Sequence, residues 1–162
     1  MLPRIRTILY AADLSERAEA VLRYALGLAI RYDAAVVAVH AVEPLSPYAQ
    51  SMVDLYLTRD QRDRLHRESR ERLTADLRGR IERFCTEETE DPAEALARVS
   101  EIVVREGHPV DVILREAQRV EADLVVMGSH GHTAVGEVLL GSTAHRVLQR
   151  SPAPVLLVRL PR

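Results

Sequence analysis

The sequence predicts one α/β domain, built as a doubly wound, five-stranded parallel sheet with helices on both faces. Three observations support this fold class. Short, nearly continuous apolar runs recur along the 162 residues, as expected for strands buried on both faces. Segments with apolar residues at three- and four-residue spacing, typical of amphipathic helices, lie between these runs. The strand–helix–strand order favours parallel pairing through helical crossovers.

The first third of the chain follows this pattern directly. Residues 8–12 and 35–41 are apolar runs that predict the first two strands. After Asp13, Ser15 and Glu16 offer a capping hydroxyl and an early negative charge. They predict that the connecting helix begins there.

The middle of the chain is different because it is densely charged. One long or two broken helices are predicted over about residues 47–91, after a loop at residues 44–50, and residues 87–91 predict an acidic turn. The charges are explained by a solvated helix face with ion pairs at i,i+4, and a charged docking surface is the alternative. Four apolar residues keep helical spacing here: Leu73, Leu77, Ile81 and Phe84.

Alternation of strands and helices resumes after this region. Residues 99–104 and 124–127 predict the third and fourth strands, and Pro109 is suited to the first position of the helix between them. A short helix around Ala144 and the last strand, residues 155–158, complete five strands and four helical segments. No repeat or boundary divides residues 1–162, so we expect one domain.

Composition excludes several classes of function. The net charge is −2 and aromatic residues make up 4%, which argues against a nucleic-acid-binding protein. All 22 basic residues other than histidine are Arg, so a P-loop lysine and a Schiff-base lysine are excluded. Cys85, the single cysteine, is interpreted as a small buried hydrophobe. Without an apolar stretch of bilayer length or a signal-like N-terminus, we expect a cytoplasmic protein that does not bind membranes.

Three segments follow strands at the edge where open parallel sheets bind ligands. Asp13 follows the first strand, Ala41 ends the second, and residues 128–131 follow the fourth. Such sites lie where the strand order reverses, beyond the carboxyl ends of the strands. The sequence therefore predicts a ligand site formed by these segments.

Glycines in the loop after the fourth strand predict an anion site. Gly128, Gly131 and Gly141 permit close backbone approach, and the helix after Gly141 offers free N–H groups. Ser142 and Thr143 add hydroxyl donors. Turn formation alone is the other interpretation of these glycines.

This loop resembles the signature of a known family. Gly128, two residues, Gly131, nine residues, then Gly141 and Ser142 are similar to the G-2x-G-9x-G-[S/T] motif of ATP-binding universal stress proteins. The resemblance covers nearly the whole chain, with residues 47–91 the least diagnostic part. It implies the family's Rossmann-like fold. Further segments follow in family order: residues 8–15, 39–44, 106–109, 122–128 and 151–158.

The resemblance implies a site for ATP, with Mg²⁺ alongside the triphosphate. Asp13 would meet the base or ribose, the Ala41 backbone would face adenine, and Met127 would pack beside the nucleoside. The glycines would admit ribose and phosphates, held by the start of the last helix. The family often has Pro where this chain has Ala11, which would loosen the turn near the base. The implied site residues are Ala12, Asp13, Ala41, Met127, Gly128, Ser129, His130, Gly131, Gly141, Ser142 and Thr143.

Histidines offer weaker candidates for chemistry. His130 and His132 would supply only two ligands for a metal, so no site from protein ligands alone is expected. His40 is better explained as a satisfied imidazole at a strand end than as a base, and His145 as a helix-surface residue. Without lysine, and with only Arg146 close in sequence, we expect slow hydrolysis at most and no catalytic residues.

The last strand predicts self-association. An apolar edge strand leaves unpaired backbone groups, which a second copy could satisfy across a two-fold axis, and the resemblance also implies such homodimers. A helix or tail covering the edge is the alternative. The predicted interface is Val155, Leu156, Leu157 and Val158.

Three functions follow from these features. The first is a nucleotide-dependent stress-response regulator, which would act on a protein partner that the sequence does not identify. The second is a nucleotide-independent member of the family that acts as a dimeric interaction module. The third is an enzyme of a related nucleotide-binding class, which the missing lysine disfavours.

Overall fold

Five parallel strands form one sheet in the computed structural model, which describes residues 2–129 and 140–159. The predicted fold class is confirmed, and each predicted strand is present with ends shifted by at most two residues. The strands are β1 (Thr7–Ala11), β2 (Ala35–Val42), β3 (Val99–Glu106), β4 (Leu124–Gly128) and β5 (Val155–Val158).

Six helices occur in the described residues, where the sequence predicted four helical segments. The middle region accounts for the difference, because it holds three separate helices. None of the described helices is long and apolar enough to cross a membrane. The helices are α1 (Ala18–Tyr32), α2 (Pro47–Tyr56), α3 (Arg59–Glu88), α4 (Pro92–Ala97), α5 (Pro109–Arg119) and α6 (Ser142–Arg150).

Side-chain caps set the boundaries in the middle region. The loop predicted at residues 44–50 is shorter, because Ser46 accepts a hydrogen bond from the Ala49 amide and α2 begins at Pro47. Thr58 and Gln61 form a capping box that separates α2 from α3. The predicted acidic turn ends at the N-cap residue of α4. The sequence pattern did not predict this helix.

The start of α1 was predicted too early. The helix begins at Ala18, with Arg17 at the N-cap and no side-chain cap. Ser15 does not cap it, since its Oγ has no hydrogen-bond partner among the described residues; its amide instead donates to Asp13 Oδ1 at 3.0 Å. After this Asx turn, two further residues remain in a non-helical turn before the helix begins.

The strand order is β3-β2-β1-β4-β5. The chain builds outward from β1 to β2 and β3, then crosses back to place β4 on the other side of β1 and β5 beyond it. The order therefore reverses between β1 and β4, which defines the switch point of the sheet.

Two apolar cores cover the faces of the sheet. One face packs against α1, α3 and α4 through residues such as Leu26 and Ile81, and it includes the buried Cys85. The other face packs against α5 and α6 through residues such as Val112 and Val147. Helices on both faces leave ligand access mainly at the ends and edges of the sheet.

Candidate functional site

The candidate site is the crevice at the switch point, between the carboxyl ends of β1 and β4. Residue pairing between these strands ends at Tyr10 and Val126. Beyond that pair, the chain continues to Ala12 on one side and to Gly128 on the other. The two strand ends therefore border the same opening, which sets Asp13 and the glycine-bearing loop on opposite sides of it.

On the β1 side, the Asx turn orients the carboxylate of Asp13. The residue is half-buried, and its Oδ1 is fixed by the amide of Ser15. A carboxylate held in this way can accept hydrogen bonds from the hydroxyl or amino groups of a ligand. The Asx turn thus fixes the orientation of this carboxylate at the end of β1.

His40 joins the ends of β1 and β2. Its Nδ1 lies 2.9 Å from the carbonyl oxygen of Ala12, and because a carbonyl can only accept, Nδ1 carries the proton and donates. The Ala12 amide in turn donates to the Val39 carbonyl at 2.7 Å. The prediction of a satisfied imidazole is confirmed. Ala41, the next residue, is half-buried near the end of β2.

On the β4 side, Met127 is 5% exposed and packs into the core beneath α5 and α6. This position leaves little of its side chain for a ligand. Gly128, the last residue of β4, is half-buried and pairs with Val158. The opening on this side is therefore bordered by a residue without a side chain.

Backbone hydrogen bonds tie the two ends of the loop together. The amide of Ser129 donates to the Val158 carbonyl at 2.9 Å, and the Gly141 amide donates to the Ser129 carbonyl at 2.8 Å. The start of α6 is therefore fixed against the end of β4. The sequence did not predict this link, since a bond between backbone groups leaves no signal in residue type.

The first turn of α6 is the feature at this crevice that is suited to binding an anion. No side chain caps it, and Gly141 at the N-cap has φ −58°. Ser142 and Thr143 occupy the first two helical positions, where amides have no partner within the helix. Ser142 is exposed and Thr143 half-buried. Two amides, two hydroxyls and the positive end of the helix dipole are thus available to an anion.

The hydrogen bonds within the fold limit which backbone amides could bind phosphate in the way that the resemblance implies. The amides of Ser129 and Gly141 are used within the fold, so neither can donate to a phosphate. Gly141 contributes by its missing side chain instead. Because that glycine has a negative φ that any residue adopts, its conformation does not explain the choice of glycine.

The donors fit a phosphate tail but supply little positive charge. Arg146 is exposed on α6, and the chain has no lysine. A triphosphate held here would fit best with a divalent cation, which Mg²⁺ supplies while keeping most of its water ligands. In residues 2–129 and 140–159, no group of three or more His, Cys, Asp or Glu is arranged to hold a metal ion.

Some predicted site residues cannot be placed. His130 and Gly131 lie outside the described residues, as does His132. His145 is described and exposed on α6, which confirms its interpretation as a helix-surface residue.

A shallow cleft of about 410 Å³, including its open mouth, lies between α1 and α3 and is lined in part by Asp13. Burial, followed by the nearby charge of Asp13, raises the pKa of Tyr10 far above its usual range, so this phenol stays neutral. Ser15 Oγ is buried in the cleft lining without a hydrogen-bond partner among the described residues. No residue of β4 or α6 lines this cleft, so it does not extend the anion site.

The predicted dimer residues form an edge of the sheet. β5 pairs with β4 on one side only. Within one copy of the chain Val158 is buried, and the other three residues of the strand are half-buried. The structure therefore places these residues where a second copy could pair with them.

The fold and the crevice define a Rossmann-like α/β protein whose expected ligand site lies at the switch point. The model of the universal stress protein family matches residues 4–159. The chain belongs to the universal stress protein family.

Two similar proteins illustrate the match. A universal stress protein of Thermus aquaticus is 33% identical over 156 residues, covering 95% of this chain and 98% of the relative. The structure of universal stress protein UspA from Lactobacillus plantarum aligns with a TM-score of 0.70 at 24% identity, covering 96% of this chain and 99% of that one. Both matches extend over nearly the full length of each chain.

A third protein was solved with a ligand. A universal stress protein in complex with cAMP aligns with a TM-score of 0.55 at 23% identity, covering 96% of this chain and 97% of that one. At this level of identity the likeness shows a shared fold.

Proposed function

We propose that this chain is a nucleotide-dependent stress-response regulator that binds ATP with Mg²⁺ at the switch-point crevice. The observation that carries the proposal is the uncapped start of α6, fixed to the end of β4 across the crevice from Asp13. An anion site at this position of an open parallel sheet suits the phosphates of a nucleotide.

In the proposed binding mode, the two strand ends hold the nucleoside. Asp13 contacts the base or ribose, and the backbone around Ala12 and Ala41 borders adenine. Gly128, which has no side chain, leaves room for the ribose. Gly131, which lies outside the described residues, has the role that the resemblance implies, admitting ribose and phosphates. A similar universal stress protein binds cAMP, also an adenine nucleotide, which is consistent with this mode.

The start of α6 holds the phosphates in this proposal. Ser142 and Thr143 donate through backbone amides and hydroxyls, while Gly141 keeps the path clear. Mg²⁺ balances the charge of the triphosphate, because no lysine is present to do so.

Hydrolysis is slow or absent in this proposal. Phosphoryl transfer needs a positioned water and charge stabilisation at the γ-phosphate. The carboxylate of Asp13 is held by the Asx turn, and the chain contains no lysine. Nucleotide occupancy then acts as a signal, which a protein partner reads from a cytoplasmic homodimer paired through β5.

Mass spectrometry of the small molecules that co-purify with the protein, followed by calorimetry with ATP and Mg²⁺, tests the proposal. We expect bound adenine nucleotide in the wild type and none in Gly141→Val, because the valine fills the phosphate path without straining a φ of −58°. Gly79→Val is the matched control, since an added Cβ at Gly79 in α3 meets nothing within 4 Å and the residue lies away from the crevice.

Three results would contradict the proposal. Wild-type protein that binds no adenine nucleotide would support the nucleotide-independent interaction module. Equal nucleotide binding by Gly141→Val and Gly79→Val would show that the phosphates do not lie against the start of α6. Rapid multiple-turnover phosphate release would support an enzyme.

A further inference from the structure

A groove runs along the opposite edge of the sheet from β5, between β3 and the exposed face of α3. It encloses about 1080 Å³, including its open mouth. We propose that this β3 groove binds an acidic peptide segment of a partner protein, in extended conformation, which pairs with β3 as a sixth strand. The proposal does not depend on nucleotide binding.

The outer edge of β3 has backbone groups free for pairing. β3 ends the strand order, and its pairs with β2 include Ala38 with Ile102 and Val42 with Glu106. The Gly107 amide donates to the Val42 carbonyl at 2.9 Å. Since hydrogen-bonding residues alternate along a strand, the amides and carbonyls of odd-numbered β3 residues face β2. The amides and carbonyls of Ile102 and Val104 therefore point outward into the groove.

The two faces of β3 differ in a way that favours a partner on the α3 side. Ile102 packs toward the core that includes α3, and Val104 is buried. On the α5 side, the edge carries Glu101 and Arg105, which are held in ion pairs with Arg119 and Glu116. On the α3 side, a strand added to β3 would contact apolar side chains. On the α5 side, it would contact charged side chains that are already neutralised by ion pairs.

The wall of the groove is a stripe of arginines. Arg67, Arg70 and Arg78 of α3 line it, and none of the three has an ion-pair partner among the described residues. Within the described part of the chain, their only unpaired neighbour of opposite charge in the lining is Glu71. A chain with a net charge of −2 thus presents a locally positive groove beside an open strand edge.

The dimensions fit a short strand with acidic residues at alternate positions. Arg70 and Arg78 are eight residues apart on a helix, about 12 Å along its axis. Residues i and i+4 of a strand are about 13 Å apart and lie on the same face. Carboxylates at every second position would therefore meet the arginines, whose planar groups bind carboxylates in bidentate fashion. Backbone pairing adds affinity, as in other cases of strand addition.

Fluorescence anisotropy with a labelled peptide of three Glu-Val repeats tests the proposal on the full chain. We expect Arg67→Glu/Arg70→Glu to weaken binding by roughly tenfold or more, since two charge-assisted contacts become repulsive. Arg64→Glu/Arg72→Glu is the matched control, because both residues are exposed on α3 outside the groove lining and the charge change is identical. Equal losses in the two variants would overturn the proposal.

Two N-methylated versions of the peptide test strand pairing. Methyl groups on alternate amides block the peptide edge that faces β3, whereas methyl groups on the other alternate set leave that edge free. We expect only one version to lose binding, and equal behaviour of the two would overturn strand addition.

Two further assays test other occupants. Tighter binding of a 12-nucleotide single strand, with the same dependence on Arg67 and Arg70, would make the groove a nucleic-acid site. A dimer that dissociates in Arg67→Glu/Arg70→Glu would identify a second copy of the chain as the occupant. Either result would overturn the proposal, and a normal dimer without DNA binding would support it.

Discussion

The two edge strands of the sheet, β3 and β5, both have unpaired backbone groups but differ in the side chains that they carry. Among the described residues, both β3 and β5 leave a row of backbone groups without a neighbouring strand. β3 spans eight residues, carries charged side chains and lies beside α3, whereas β5 is four apolar residues long. Charge along an edge discourages pairing with an identical edge, while an uncharged apolar edge permits it. The comparison suggests that β5 is suited to self-association and β3 to a different, acidic partner.

The positions of the edges make these two associations compatible. They lie at opposite ends of the strand order, so a dimer through β5 leaves both β3 grooves open. The switch-point crevice lies between them, at the ends of β1 and β4. Each association can therefore be disrupted without removing residues of the other.

The largest expected effect is the weakening of the proposed β5 homodimer in Leu157→Pro. Amides of Val125 and Ser129 donate to the carbonyls of Pro154 and Val158, so even-numbered residues of β5 bond to β4 and the Leu157 amide faces outward. Proline there removes one intermolecular hydrogen bond per copy, about 2 kcal/mol in total, or roughly thirtyfold in dissociation constant. Analytical ultracentrifugation measures this change.

Leu156→Pro is the control for this variant. The Leu156 amide faces β4, so proline at this position breaks the ladder within one copy and should lower the melting temperature more than Leu157→Pro does. A Leu157→Pro protein that remains dimeric would show that β5 is not the interface.

A buried carboxylate holds the β3 edge in place, and its removal should give the next largest effect. Glu116 is 2% exposed and accepts hydrogen bonds from Arg105 Nε at 3.1 Å and Arg119 Nε at 2.6 Å. Glu116→Ala should cost about 2 kcal/mol of unfolding free energy, less than for a fully buried pair because both arginines are partly exposed. Urea denaturation measures this cost.

Glu101 provides the comparison within the same cluster. It pairs with Arg119 at 3.0 Å but is about as exposed as that arginine, so Glu101→Ala should cost less than about 1 kcal/mol. Equal costs for the two alanine variants would show that burial does not determine the strength of this cluster. The proposed β5 homodimer should form equally in both, since β5 is untouched.

The contribution of Glu116 should depend on pH. Burial opposes its charge, but hydrogen bonds and charge from Arg119 and Arg105 outweigh this and lower its pKa in the folded state. A lowered folded pKa means that the stabilisation is complete above the ordinary pKa of Glu, near 4.5, and is lost as the pH falls through the folded value. The difference in unfolding free energy between wild type and Glu116→Gln should be constant from pH 8 to about 5 and shrink below. A difference that grows in acid would contradict the assignment.

Burial on both faces made the strands predictable. A continuous apolar run such as residues 35–41 is typical of a central strand in a parallel sheet, because both of its faces lie against helices. The middle helices were harder, because their boundaries depend on caps at Ser46, Thr58 and Asp91, and among them only α3 buries several apolar side chains. Those caps, each followed by Pro or by Gln three residues later, are signals that the sequence does contain.

The candidate site was predictable in position but not in detail. The sequence places Asp13 and the glycine loop at strand ends, and the parallel fold brings strand ends to one edge. It does not show that the Asp13 carboxylate binds the Ser15 amide, or that the Gly141 amide is used by Ser129. Local competition for hydrogen bonds decides these contacts, and it depends on backbone geometry that residue types alone do not define.

The smallest expected effects concern two glycines near the β3 groove, one in the turn after β3 and one in α3. Gly107 follows β3 with φ +148°, and an added Cβ would lie 3.0 Å from Cγ2 of Val112. Gly107→Ala should therefore destabilise the fold by about 1 to 2 kcal/mol through backbone strain and crowding against α5. Gly79→Ala in α3 should have the opposite sign and stabilise by about 0.5 to 1 kcal/mol, because alanine orders the helix and meets nothing within 4 Å. Thermal denaturation of both variants measures the contrast, and changes of the same sign would contradict the conformations assigned to these glycines.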